Sequence, residues 1–92
     1  MIHSFSCKTT EDLFHSKVSI KFRNIERLAR RKLLQLNAAT ALQDLRVPPG
    51  NMLEPLFKDR KGQHSIRVNS QWRICFVWKD DGAYNVEIVD YH

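Results

Sequence analysis

Near Pro48-Pro49-Gly50 the hydrophobic pattern changes period, and this restricts the fold more than any other feature of the chain. Before that point apolar residues recur at helical spacing; after it they alternate. Ile25, Leu28, Ala29, Leu33 and Leu36 predict a helix, with Asn24 as its expected cap and Arg27, Arg30, Arg31 and Gln35 on its other faces. Asn37 is expected to cap a further turn of helix whose apolar stripe is Ala38, Ala41, Leu42 and Leu45. The two prolines end helical structure, because proline lacks the N–H donor and crowds the preceding turn. Nearer the start, residues 2–6 read as a short strand. Thr9-Thr10-Glu11-Asp12 resembles a helix start, with a hydroxyl cap and acids in the first turn, for a brief helix over about 11–15.

The second half reads as a meander. Strands are expected over 64–68, 71–78 and 83–89, joined by turns at Asn69-Ser70 and at Asp80-Asp81-Gly82, the strongest hairpin signal present. Alternation sends Trp72, Ile74, Phe76 and Trp78 to one face, joined by Ile66 and Val68 and by Tyr84, Val86 and Ile88. Helices first and strands afterwards predict an α+β fold: one domain over residues 1–92, with helices packed on one face of an antiparallel sheet.

The longest apolar run, Ile74 to Trp78, is far short of the roughly 18 residues of a membrane helix. The opening Met1-Ile2-His3-Ser4-Phe5 lacks the apolar stretch of a signal peptide, so a cytoplasmic protein is expected. Cys7 and Cys75 are too few for a secreted disulfide scaffold and sit in no metal-ligand spacing, so reduced thiols and no zinc are expected.

The net charge is +5, and residues 1–46 carry the excess with nine Lys/Arg against four Asp/Glu. A second basic region spans 58–73, with five basic residues to one acidic. Such charge points to a polyanion or an acidic partner. Lys21, Arg23, Arg27, Arg30, Arg31 and Lys32 can face either a nucleic acid or an acidic protein; Lys58, Arg60 and Lys61 are candidate nucleic-acid contacts.

The sheet face opposite the helices receives Arg67 and Arg73 on neighbouring strands of a tight hairpin. Like charges there are unfavourable unless an anion lies between them, and arginine's planar fork suits phosphate. Two solvated arginines would satisfy the same pattern. The sequence ends Asp90-Tyr91-His92, so the His92 imidazole is expected close to a free carboxylate, which favours imidazolium and suits a proton-transfer group near neutral pH.

Four blocks occur in order: Asp59-Arg60-Lys61-Gly62, Ser65-Ile66-Arg67-Val68, Trp72-Arg73-Ile74 and Asp90-Tyr91-His92. With the opening Met1-Ile2-His3-Ser4-Phe5 and the stretch from Ala38-Ala39-Thr40 to Pro49-Gly50-Asn51, they resemble the HigB toxins of the RelE superfamily, and the GraT-like members among them, over essentially the whole chain. The resemblance implies a toxin of a type II toxin–antitoxin pair that cleaves mRNA in the ribosomal A site without metal or other cofactor. It further implies a HigA-type antitoxin as partner, and operator DNA reached only through that complex. By position it implies that Asp90, Tyr91 and His92 are catalytic and that Arg73, with Arg67 assisting, meets the scissile phosphate. Glu54 stands where some relatives have histidine, and Phe57 where they have lysine; Glu54 is thereby a candidate general base. The alternative is a non-catalytic toxin that binds the ribosome or a protein such as DNA gyrase, as the ParE branch does. The terminal Asp-Tyr-His speaks against it.

Overall fold

The computed structural model describes residues 1–90 of the chain. Its helices are α1 (Lys8–Phe14) and α2 (Glu26–Ala38), the latter preceded by a 3₁₀ turn at Arg23–Ile25. After further 3₁₀ turns come the strands β1 (Glu54–Pro55), β2 (His64–Arg67), β3 (Trp72–Lys79) and β4 (Gly82–Asp90). They form one sheet in the order β1-β2-β3-β4, every neighbour antiparallel. Among the described residues, no helix is long and apolar enough to cross a membrane.

Alternation in β3 decides the layering. Ile74 and Phe76 are fully buried with Ile66, Val86 and Ile88 under Leu13, Ala29, Leu33, Leu36 and Leu45 of the helical half. Each fully buried aliphatic or aromatic side chain stabilises by about 1.5–3 kcal/mol, more than the roughly 1 kcal/mol of a helix cap. Packing therefore outweighs capping in fixing the helix ends. Accordingly α2 starts with no side-chain cap: Asn24 lies within the 3₁₀ turn rather than capping the helix. Asn37 does not cap a second helix either; it lies in the last turn of α2, and its Oδ1 accepts the Ile2 N–H at 2.9 Å. The next turn, Leu42–Arg46, is 3₁₀ and is capped by Asp44, whose carboxylate accepts the N–H groups of Thr40 and Ala41. These bonds hold the Asp44 carboxyl below its ordinary range.

Other expectations shift for the same long-range reasons. The first helix begins at Lys8, so Thr10 sits inside it, fully buried, and its Oγ1 accepts the Ile88 N–H of β4 at 3.0 Å. Residues 2–6 form no strand proper but run parallel to β4, with bridges at Ile2–Ala83 and Phe5–Val86. Leu28 is 36% exposed and does not join the core. Tyr84 leaves the core face, because the β3–β4 register breaks between Cys75 and Val77, and Asn85 adopts φ +55°. Tyr84 thus pairs with Val77, while Ala83 takes the buried place opposite Trp78.

Buried Asn51 fixes the approach to β1. Its amide donates to the Leu45 carbonyl at 3.1 Å and to Gln35 Oε1 at 3.2 Å, and its Oδ1 accepts from Lys32. The segment leading to β1 is thereby tied to α2, and β1 to the sheet.

Candidate active site

Two rows of side chains cross the sheet on the face away from the helices. The register aligns Glu54, Ser65, Cys75 and Glu87 across all four strands. The next row of that face aligns Arg67, Arg73 and Val89. The two arginines are therefore direct cross-strand partners. Asn69 holds the turn between them tight, since its Oδ1 accepts the N–H groups of both Gln71 and Trp72 at 2.8 Å. Arg67 donates from Nε to the Asn69 carbonyl at 3.1 Å and is partly exposed.

Arg73 departs from the expected open face, for it is only 6% exposed. Its Nε donates to Ser65 Oγ and its Nη2 to the Met52 carbonyl, both at 2.7 Å. Nη2 also lies 3.5 Å from Glu54 Oε1. Ser65 belongs to β2, whereas Met52 just before β1 and Glu54 within it supply the rest, so part of the cover comes from the edge strand and the chain that feeds it. A buried guanidinium needs such satisfaction, because an unpaired buried charge is strongly unfavourable. The result is a cation fixed in direction beside a carboxylate, which is a preorganised arrangement for an oxyanion.

Arg60 enters the same face from the turn Lys58–Arg60. It donates to Glu87 Oε1 at 2.7 Å and to Gln63 Oε1 at 3.1 Å. Arg60 and Arg73, with Glu87 and Glu54, surround the Cys75 thiol. Burial is the largest influence on that thiol and pushes it up, so it stays protonated and inert at neutral pH. Lys58 and Lys61 are exposed beside this turn.

Asp90, the last described residue, lies opposite Trp72, one position from the Arg73–Val89 pair, and accepts a hydrogen bond from Gln71 Nε2 at 3.1 Å. Tyr91 and His92 lie outside the described residues. The structure thus brings Glu54, Arg67, Arg73 and Arg60 onto one face, with Lys58 and Lys61 exposed beside the Arg60 turn, whereas Asp90 stands in the neighbouring row, opposite Trp72. Sequence reasoning missed Ser65 and the Met52 carbonyl as the partners that orient Arg73. The signal for Ser65 was present, because period-2 counting puts it on the face of Arg67. Nothing local marks the Met52 carbonyl. On α2 the basic residues divide: Arg30 is bound to Glu26 at 2.9 Å and to the Leu13 carbonyl, and Lys32 to Asn51. Arg23, Arg27 and Arg31 remain exposed along one stripe.

Comparison with known proteins gives a consistent result. The model of the HigB-like toxin family, described as RelE-like toxin of type II toxin–antitoxin system HigB, matches residues 5–92. Toxin HigB-1 of Vibrio cholerae is 52% identical over 62 residues, which cover 67% of this chain and 65% of that protein, a little under two thirds of its length. Endoribonuclease HigB of Proteus vulgaris is 34% identical over the full length of both. Among solved structures, YafQ of E. coli superposes with a TM-score of 0.56 at 17% identity, covering 98% of this chain and 91% of that one. The YoeB–YefM complex of Staphylococcus aureus gives 0.56 at 14% identity, covering 100% and 98%. Those two likenesses establish the fold.

Proposed function

From the premise that the chain belongs to the HigB-like family of RelE-like toxins of type II toxin–antitoxin systems, we propose that it is an endoribonuclease that cuts mRNA on the ribosome and so arrests translation. The observation that carries this reading is the Arg67–Arg73 pair, held in cross-strand register with Val89, one position before Asp90 at the end of the next strand. Two like charges maintained side by side favour a doubly contacted phosphate between them.

RNA carries its own nucleophile, so side chains suffice for the chemistry. Glu54 removes the 2′-hydroxyl proton as general base. The 2′-oxygen attacks the adjacent phosphorus, a 2′,3′-cyclic phosphate forms, and the P–O5′ bond breaks. His92 donates the proton that the leaving 5′-oxygen takes up. Positioned acid and base groups typically contribute about 10²–10⁴-fold each. Arg73, assisted by Arg67, stabilises the charge that builds on the non-bridging oxygens, a term commonly worth about 10²–10³ per donor. Asp90 orients His92, and Tyr91 assists proton transfer or stacks on a base. Lys58, Arg60 and Lys61, with the stripe of Arg23, Arg27 and Arg31, supply positive charge toward ribosomal RNA.

The family implies an antitoxin partner; we take it to be of HigA type, with operator DNA bound only through the complex and the cytoplasm as the place of action. The assignment is tested by assaying ribosome-dependent cleavage in purified His92→Ala and Arg73→Ala proteins. Cleavage lost in both supports it. Wild-type rates in both overturn the site, and gyrase inhibition without any RNA cleavage would move the protein to the non-catalytic alternative.

A further inference from the structure

Phe57 is 74% exposed, and among the described residues it is the one Phe, Trp or Tyr whose side chain is exposed. An isolated exposed apolar residue is ordinary, but this one is held in place. Before it, Leu56 is buried and its N–H donates to the Gln63 carbonyl at 2.9 Å. After it, the turn Lys58–Arg60 closes with the Arg60 N–H on the Phe57 carbonyl, and Arg60 is anchored to Glu87. The backbone is therefore fixed on both sides of a ring that faces water.

The ring's surroundings match one kind of ligand. Phe57 lines a shallow cleft of about 310 Å³ with Glu54, Pro55, Leu56 and Lys58. Glu54 is the residue that meets Arg73. Through Glu54 the cleft adjoins the Arg73 guanidinium, and the exposed Lys58 also lines it. An exposed ring beside Lys58, in a cleft whose Glu54 wall meets Arg73, fits a nucleotide with its base on the ring and its phosphate at the cations.

We propose that Phe57 is a base-stacking platform for an RNA nucleotide next to the scissile phosphate. This rests on the endoribonuclease reading and adds a binding subsite to it. Stacking on an aromatic ring is typically worth about a 5- to 150-fold change in affinity per base. It is tolerant of base identity, because every base has a π face.

The test uses ribosomes carrying a message with 2′-O-methylated nucleotides in the A site, which cannot be cut, and the same message made abasic there. Binding of wild type, Phe57→Ala, Phe57→Leu and Phe57→Tyr is measured on each. Phe57→Ala and Phe57→Leu should weaken binding to the intact message about 5- to 150-fold, and Phe57→Tyr should match wild type. On the abasic message all four should bind alike. Equal binding of Phe57→Ala and wild type to the intact message overturns the subsite and leaves the nuclease reading standing. No binding of wild type to either message overturns both. If Phe57→Ala weakens antitoxin capture instead, the ring belongs to a protein contact and the proposal falls.

Discussion

Glu54→Gln separates two effects that the structure sets against each other. The carboxylate lies 3.5 Å from the Arg73 guanidinium, with the Arg73 side chain 8% exposed and that of Glu54 43% exposed. Coulomb's law at an effective dielectric of about 20 gives an upper bound near 5 kcal/mol at this distance. Solvent around the half-exposed partner reduces the net value to about 1 kcal/mol, as for exposed pairs. Removing the charge therefore frees Arg73 for phosphate by at most about 5-fold. Removing a general base lowers the chemical step by about 10²–10⁴-fold. The second effect dominates, so single-turnover cleavage on programmed ribosomes should fall at least about 20-fold. Binding to uncleavable message should tighten slightly, by no more than about 5-fold. Cleavage by Glu54→Gln as fast as wild type, or faster, would refute Glu54 as the base and leave it as a competitor for Arg73.

Thr10→Val keeps the shape but removes the acceptor of the buried Ile88 N–H, costing about 1–3 kcal/mol; thermal unfolding should move down by roughly 5–20 °C, and an unchanged midpoint would contradict that bond. The Asp44 carboxyl is depressed in the folded state by its bonds to Thr40 and Ala41, so it stabilises above its unfolded pKa and that contribution is lost as pH falls through its folded one. Asp44→Ala should therefore melt below wild type at neutral pH, with the gap closing on acidification; a gap independent of pH would refute the cap. In Cys7 burial acts upward, yet hydrogen bonds with Thr10 and Thr9 and the charge of Lys21 leave the thiol lowered, while burial raises Cys75. Alkylation of the native protein followed by mass spectrometry should therefore label Cys7 first and Cys75 only on unfolding.

The sheet was readable because its cause is local. Period-2 spacing of Trp72, Ile74 and Phe76 and the Asp80-Asp81-Gly82 turn set strand, face and hairpin without outside help. What failed was decided at long range or by a single residue's backbone. Asn37 has the chemistry of a cap, but Ile2 takes its side chain from across the fold. Tyr84 lost its place to Ala83 through the bulge, where Asn85 tolerates a positive φ that most residues avoid. The alignment of Arg67 with Arg73 followed from hairpin register, whereas the burial of Arg73 did not, because it depends on Met52 and Glu54 arriving from a different part of the chain. A proton-transfer role for His92 was legible from its residue type and neighbours, whereas the catalytic assignment of Asp90, Tyr91 and His92 as a set came from resemblance; of the three, Asp90 lies within the described residues.

The most direct test of the endoribonuclease reading is primer extension on mRNA from a translation reaction, comparing the purified wild-type protein with His92→Ala. Breaks aligned with codons in the wild-type reaction, absent with the variant, are the predicted result. Translation that stops while the message stays whole would contradict RNA cleavage as the activity of this chain.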